Sequence, residues 1–346
     1  MDLSAKESNP EVQSMLVIHQ GALGDFILAL PVLSAFRKAY PKTRPFMMGY
    51  PRILQLVEGR FYAKEIFSID QKGVATFFVR EGPLDRALSQ FFSAFELIVV
   101  FGKDGRGTLI GNLKKVCQGR VFHINSFPNW DEGVHLSDHL MRQLTRYGIP
   151  LSETNPRLYL KESDLEWGRN FWKEKEVSPE ERAKAIILHP GSGSRKKIWP
   201  TKHFLDLLRH LQGDLGVTFL SVLGPAEGPE IQRTFEKTTL PRLVPARGLS
   251  LIQLASVMEG CRLFIGNDSG VSHMAAALGL PTIAIFGPTD HRVWSPRGEK
   301  VEVIRMGIPC SPCAEERFLL CKDFECLSRI EVGDVLQRLR SLGLEV

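Results

Sequence analysis

The sequence predicts an α/β protein built on parallel sheets, and three observations carry that expectation. Short apolar runs, such as residues 14–19 (SMLVIH) and 185–189 (AIILH), alternate with longer amphipathic segments. That is the pattern of helices packed on both faces of a parallel sheet. Several runs end in glycine-rich or polar turns, as after His189, Leu223 and Ile265, and open parallel sheets bind ligands at the carboxyl ends of their strands. Finally, 346 residues exceed one compact core and suit two domains. Hydrophobic residues at 43% and charged residues at 24% exclude disordered and fibrous classes.

In chain order, residues 14–19 form the first strand and lead into Gln20-Gly21-Ala22-Leu23-Gly24-Asp25, before a helical pattern over 26–40. Glycines ahead of such a pattern mark a strand–loop–helix start. Asp25 falls in the first turn, where the helix dipole favours a carboxylate; it serves there as a cap or as a catalytic carboxylate at a cleft mouth. Pro31 lacks a backbone donor and should kink this helix. Strands follow at 46–48, 65–69, 96–101 and 121–124, while 75–95 admit strand or helix at their start. Residues 135–147 place Leu136, Leu140, Leu144 and Tyr147 on one side of a helix. Two prolines in 148–159 (GIPLSETNPRLY) break the pattern. The expected domains are therefore 1–160 and 161–330, with 331–346 carrying a helix that returns across the junction.

The second half resumes with a charged helix over 164–176 and the strand 185–189. The next residues, Pro190-Gly191-Ser192-Gly193-Ser194-Arg195-Lys196-Lys197, let a backbone approach a ligand closely and supply three cations for phosphate. A solvated turn is the competing account. Pro200 suits a helix start, and Phe204, Leu207, Leu208 and Leu211 give that helix a buried stripe. A strand over 217–223 runs into Gly224 and, past a short loop, Glu227. A short strand at 242–244 and a helix over 250–258 precede the stretch FIGNDSGVSHMAAALGLPTIAIFG at 264–287. It predicts a strand at 263–265, a turn carrying Asp268, Ser269 and Gly270, a helix to 278 and a strand over 281–286. A helix starting above a strand end suits a phosphate, although a well-capped structural turn has the same sequence. His273, one turn into that helix, serves either the core or the site. Past 287, Cys310 and Cys313 form a C-x-x-C pair followed by Cys321 and Cys326. The spacing allows zinc, but the expectation is four reduced cysteines in a structural loop, with no metal and no cofactor.

The net charge of +5 is mild and scattered, which does not point to nucleic acid. Around Lys103, Arg106, Lys114, Lys115 and Arg120 the only acid is Asp104. This stretch is a solvated face, or a contact for an anionic substrate or membrane surface. No apolar run of about 18 residues exists to span a bilayer, and the polar residues 1–14 lack a signal-peptide core. The expected location is cytoplasmic, compatible with peripheral contact at the inner membrane surface. No G-x-S-x-G elbow, Walker A loop, H-E-x-x-H helix or G-x-G-x-x-G after the first strand is present.

Taken together, GALGDFILALPVL, HPGSGSRKKIWP, LGPAE, FIGNDSGVSHMAAALGLPTIAIFGPTD and the C-x-x-C tail resemble glycosyltransferase family 9, the ADP-heptose:lipopolysaccharide heptosyltransferases. The tail is similar to that of the heptosyltransferase II branch. The resemblance covers nearly the whole chain in the family's order and spacing. It implies a GT-B fold, two Rossmann-like domains facing a cleft, with the acceptor on the N-terminal half and the donor on the C-terminal half. By motif position it implies that Asp25 is the general base and that Lys197 neutralises the donor pyrophosphate. It likewise implies that Glu227 holds the ribose, Asp268 contacts the donor sugar, and the amides of Ser269 and Gly270 hold phosphate. Ser192 and His273 fall within the same donor motifs, and Gly21, Lys103, Arg106 and Arg120 make up the expected acceptor set. The sequence departs from the family at His19, where many members have arginine, and at Gln20-Gly21-Ala22, in place of a serine-rich loop. The implied activity is metal-independent, inverting transfer of heptose from ADP-heptose to the anionic inner core of lipopolysaccharide. A GT-B transferase with another nucleotide sugar, a nucleotide-sugar epimerase and a non-catalytic nucleotide-sugar-binding module are the competing readings. Asp25 together with Lys197 counts against the module, because binding alone needs no base.

Overall fold

A computed structural model describes residues 11–129, 132–151, 153–215, 217–224, 227–238, 240 and 242–343; the side chains of 213–215 and 315–317 lie outside this description. Its strands fall into two all-parallel sheets. The first holds β1 (Met15–His19), β2 (Phe46–Gly49), β3 (Ile66–Ser68), β4 (Leu97–Phe101) and β5 (Arg120–Ile124), in the order β3-β2-β1-β4-β5. The second holds β6 (Ile186–His189), β7 (Phe219–Leu223), β8 (Leu243–Arg247), β9 (Leu263–Asn267), β10 (Thr282–Ile285) and β11 (Val301–Ile304), in the order β11-β10-β9-β6-β7-β8. Each is the doubly wound order in which the chain reverses direction beside its first strand. The two Rossmann-like α/β units implied by the resemblance are therefore present.

The central strands are apolar along their whole length. Every residue of β1, β4, β6, β7 and β9 is buried, as expected of strands covered on both faces. Contacts divide the chain into two units. One takes in residues up to Gly21, Ala29–Pro128 and Leu136–Thr154; the other takes in Ala22–Leu28, Asn129–His135 and everything from Asn155 onward. The first turn of the helix Leu23–Ala39, with Asp25, is thus counted with the second unit. That helix continues through Pro31.

In the first unit, the segment with two possible readings forms a 3-10 turn at Val74–Phe78 and a helix at Arg86–Ser93. The Asp85 carboxylate caps this helix by accepting the Leu88 N–H at 2.9 Å. The helix expected over 135–147 is α-helical at Leu136–Arg142 and tightens to 3-10 at Gln143–Tyr147. In the second unit the stripe Phe204, Leu207, Leu208 and Leu211 on the helix Thr201–Leu215 is fully buried. Each such side chain contributes roughly 1.5–3 kcal/mol. The edge strand β11 was not apparent in the sequence. Its residues are partly buried except Ile304, which is buried, and it pairs in parallel with β10.

The last helix, Val332–Ser341, buries Val335 and Leu339 in the core cluster of the second unit, beside that leucine stripe. Its buried face thus belongs to the second unit, where the sequence suggested a return across the junction. The reason is that Val332, Val335, Leu336 and Leu339 share one apolar face, all of which packs against that cluster. Among the described residues no helix is long and apolar enough to cross a membrane.

Candidate active site

A cavity of about 910 Å³ lies at the carboxyl end of the second sheet. β6 and β9 are adjacent there although β7 and β8 intervene in sequence, so the loops leaving them diverge and open a crevice. Ser192, Gly193, Ser194 and Lys197 line it from the loop after β6, and Asp268, Ser269, Gly270 and His273 from the turn and helix after β9. Gly24 and Asp25 complete this set from the segment Ala22–Leu28. All of these residues are counted with the second unit.

Asn267 organises the two loops. Fully buried at the end of β9, its Oδ1 accepts the Trp199 N–H at 2.9 Å while its Nδ2 donates to the Pro190 and Gly191 carbonyls at 2.8 and 3.3 Å. One side chain therefore satisfies three backbone groups of the β6 loop, and Ser192 Oγ donates to the Asp268 carbonyl at 2.7 Å. Trp199, fully buried, anchors the far end of the loop by donating its indole N–H to the Ile330 carbonyl at 2.9 Å. The sequence offered one signal for Asn267, a buried amide at the end of an apolar strand; its partners lie some 70–80 residues away and cannot be read from spacing.

Lys197 ends a 3-10 turn (Arg195–Lys197) that Ser194 caps by accepting the Lys196 N–H at 3.3 Å. Its ammonium stands 2.9 Å from Asp268 Oδ2, with the lysine side chain 29% and the aspartate 8% exposed. Asp25 is half-buried, and one oxygen of its carboxylate accepts the Ala22 N–H at 3.1 Å. Burial pushes the Asp25 carboxyl above its ordinary value; the Ala22 N–H and the Lys197 charge draw it down and Asp268 pushes it up. The cavity thus holds two carboxylates and one ammonium that sense one another. His273 is buried, and burial lowers its pKa to about 4, so its ring is neutral at pH 7. Its buried Nδ1 makes no hydrogen bond among the described residues. A Cβ on Gly24 would lie 3.1 Å from the His273 ring, so glycine lets backbone and imidazole come close.

A Cβ on Gly270 would sit 2.7 Å from the Cβ of Leu23, which explains glycine at the first residue of the helix Gly270–Ala277. Ser269 caps that helix by accepting the Ser272 N–H at 3.4 Å. Ser272 in turn donates its hydroxyl to the Asn267 carbonyl at 2.5 Å. The first N–H groups of a helix have no intrahelical acceptor, and these begin at the cavity wall. An anion placed there meets backbone donors and the positive end of the helix dipole.

Glu227 lies elsewhere than expected. It is 2% exposed and does not line the cavity. Its Oε1 stands 2.9 Å from His189 Nε2, and its Oε2 accepts the Gly224 N–H. With Nε2 protonated towards Glu227, Nδ1 of His189 accepts from the Ser269 hydroxyl at 3.1 Å. The turn after β7 therefore supports the site from below. Its place in the wall is taken by residues beyond β10, namely Thr289, Asp290 and Trp294. The sheet order explains this: β10 borders β9, whereas β7 lies on the far side of β6. Asp290 pairs with Arg292 at 2.7 Å, which holds its carboxyl below the ordinary range.

The expected acceptor set is not gathered in one place. The Gly21 N–H donates to His19 Nδ1 at 3.2 Å, at the carboxyl end of β1. Lys103 and Arg106 are exposed on the loop after β4, which Asp104 fastens by accepting the Thr108 and Ile110 N–H groups at 2.9 Å each. Arg120 opens β5 opposite Leu97, the first residue of β4, and so sits at the other end of this parallel sheet. There its guanidinium stacks on Tyr40 and Phe122. None of the four lines the cavity.

The cysteine-rich loop reaches the same cavity. Pro312, Cys313, Ala314 and Phe318 line it, and Lys196 donates its ammonium to the Phe318 and Leu319 carbonyls at 2.6 and 2.7 Å. Burial, and then the neighbouring Cys313, Cys310 and Cys321, push the Cys326 thiol up to about 11. As placed, no group of three or more His, Cys, Asp or Glu side chains among the described residues is set to hold a metal ion.

Comparison with known proteins bears on this arrangement. The family model for glycosyltransferase family 9 (heptosyltransferase) matches residues 125–322. Lipopolysaccharide heptosyltransferase 3 of Escherichia coli K12 is 22% identical over 296 residues, covering 80% of this chain and 83% of that protein. A glycosyl transferase family 9 structure from Veillonella parvula DSM 2008 superposes with a TM-score of 0.79 at 20% identity, over 98% of this chain and 99% of the other. The structure of E. coli ADP-heptose lps heptosyltransferase II gives a TM-score of 0.73 at 18% identity, over 95% and 98%.

Proposed function

The chain belongs to glycosyltransferase family 9 and is thus a glycosyltransferase, and we propose that it moves a heptose from ADP-heptose to the inner core of lipopolysaccharide, with inversion and without a metal ion. The observation that carries this reading is the meeting of Asp25, Lys197 and Asp268 in one cavity beside the start of the helix Gly270–Ala277. A donor diphosphate needs cations and free N–H groups, and a sugar acceptor needs a base; both are within this wall. The relatives' names supply the sugar and the acceptor class.

In this reading Asp25 takes the acceptor hydroxyl's proton as the oxygen attacks the anomeric carbon on the face opposite the diphosphate. A carboxylate is far too weak a base to deprotonate an alcohol beforehand, so proton transfer accompanies bond formation. Burial, by raising the Asp25 pKa, strengthens it for that step. The departing diphosphate gains charge, which Lys197 and the amides at Ser269 and Gly270 offset. Lys197 then leaves Asp268 for the diphosphate, freeing the Asp268 carboxylate for the hydroxyls of the donor sugar. Ser192 borders the diphosphate, and the neutral His273, which lines the cavity, borders the sugar. Glu227 supports Ser269 through His189 instead of facing the ribose. Lys103 and Arg106 remain contacts for acceptor phosphates; Arg120 does not. An acceptor carried on a lipid places the reaction at the cytoplasmic face of the inner membrane.

The test is direct. ADP-heptose is compared with UDP- and GDP-sugars on truncated lipopolysaccharide, with products read by mass. Transfer from a non-heptose donor alone overturns the substrate. Asp25→Ala should bind ADP-heptose like the parent and lose about 10²–10⁴-fold in turnover; near-normal transfer removes Asp25 as the base.

A further inference from the structure

Glu227, His189 and Ser269 form a chain of contacts that starts beneath the cavity and ends in its wall. Glu227 and His189 are 2% and 3% exposed, and Ser269 lines the cavity. The imidazole stands between the other two, with Nε2 2.9 Å from Glu227 Oε1 and Nδ1 3.1 Å from Ser269 Oγ. We propose that His189 is a positioning residue for the donor diphosphate: it takes up a proton as the diphosphate binds, and the protonated ring turns the Ser269 hydroxyl into a donor to phosphate. This inference rests on the nucleotide-sugar reading of the cavity and adds to it a residue that does not itself line the wall.

The hydrogens available at Ser269 decide what its hydroxyl can do. Ser269 Oγ accepts the Ser272 N–H at 3.4 Å and has a single hydrogen of its own to give. Ser272 Oγ, 3.2 Å away, spends its hydrogen on the Asn267 carbonyl. In the neutral ring with Nε2–H towards Glu227, Nδ1 is a bare acceptor, so the Ser269 hydrogen goes to it. The hydroxyl then has only lone pairs left, which repel a phosphate oxygen. In the doubly protonated ring Nδ1 is a donor and Ser269 Oγ its acceptor, and the hydroxyl hydrogen is released for the anion. One proton passes from solvent to Nδ1 and the Ser269 O–H rotates; no covalent bond to the ligand forms.

Glu227 gives the added charge a partner. Its Oε2 accepts the Gly224 N–H, while the buried Oε1 has no hydrogen-bond donor among the described residues beyond the facing Nε2. A buried carboxylate answered on one oxygen favours a cation at the other. The strands that flank β6, namely β7 and β9, carry no titratable side chain. The charged and titratable groups around the relay are Arg195, Lys196 and Lys197 on the loop after β6, Asp268 and His273 after β9, and Asp25 on the segment Ala22–Leu28. Lys197 is answered by Asp268, and His273 is neutral at pH 7. Asp25, which burial raises, is the group whose titration has to be separated from that of His189.

The experiment uses the full chain and ADP-heptose, whose diphosphate is esterified at both ends and keeps a constant charge near neutral pH. Calorimetry at about pH 8 in buffers of different ionisation enthalpy counts the protons bound with each ligand. Net uptake is expected, and affinity should fall between about pH 6 and pH 8 by up to ~10-fold per unit. Both should persist in Asp25→Asn. His189→Gln keeps an N–H for Glu227 without a titrating ring, so it should abolish the uptake and flatten the profile. Ser269→Thr, which keeps the hydroxyl, should retain both effects, whereas Ser269→Ala should lose most of them. In the ligand-free parent, nitrogen NMR at about pH 8 should show His189 with Nε2 protonated and Nδ1 bare. Binding without proton uptake by the parent overturns the inference, as does the opposite tautomer, and neither result depends on a variant's folding. Uptake kept in His189→Gln or lost in Asp25→Asn places the proton elsewhere and overturns it as well. Failure to bind ADP-heptose at all overturns the donor reading and this inference together, so the two failures are distinguishable.

Discussion

Gly191 is where the supporting network can be challenged most sharply. A Cβ built there falls 1.7 Å from Glu227 Oε1, 2.5 Å from its Cδ and 2.9 Å from its Cγ. The carboxylate has nowhere to retreat, because it is 2% exposed and engaged by both His189 and the Gly224 N–H. Gly191→Ala must therefore tear Glu227 from those partners or displace the loop that Asn267 clamps. Breaking a buried, paired charge costs about 3–5 kcal/mol, and for a unit of this size that lowers Tm by roughly 6–20 °C. The decisive assay is a double-mutant cycle read by thermal or urea unfolding. Glu227→Ala alone should destabilise by about 1–3 kcal/mol, since it strands the Gly224 N–H and one nitrogen of His189. In that background Gly191→Ala no longer meets the carboxylate, and its cost should fall by at least ~2 kcal/mol. A Gly191→Ala protein as stable as the parent, or equal costs in both backgrounds, would refute the claim that glycine is required there by Glu227.

Two further outcomes follow from the electrostatics of the cavity. Because burial raises the Asp25 pKa above the ordinary 3.8, the folded protein holds that proton more tightly than the unfolded chain. The ionised form therefore costs stability, nothing well below pH 3.8 and increasingly as pH rises through the folded pKa. Asp25→Asn, which keeps an acceptor for the Ala22 N–H, should accordingly have a higher Tm than the parent at pH 7 and lose that advantage in acid; an unchanged or lower Tm at pH 7 contradicts it. Transfer should rise with pH as Asp25 ionises. Since Lys197 lowers the Asp25 pKa and Asp268 raises it, Lys197→Ala should move that limb of the kcat/KM profile to higher pH and Asp268→Asn to lower pH. Shifts in the same direction would undo the assignment.

Much of this protein is local information, and the sequence by itself determined it. Runs of apolar residues encode strands buried on both faces; Ser269 marks a helix start by the bond it makes to a nearby N–H group; and the turns after β6 and β9 announce a ligand site, because small residues at strand ends leave room for one. Tertiary structure decided what depends on strand order. It put β10 beside β9 and β7 beyond β6, which brings Asp290 and Trp294 to the wall and sinks Glu227 beneath it. It also set Arg120 at the opposite end of the sheet from Lys103 and Arg106, although all three belong to one basic stretch of sequence. Asn267 shows the limit most plainly, as its three bonds join loops far apart in the chain and their worth comes from burial. Periodicity records which side of an element faces inward; which neighbour it meets there is fixed only when the sheets assemble.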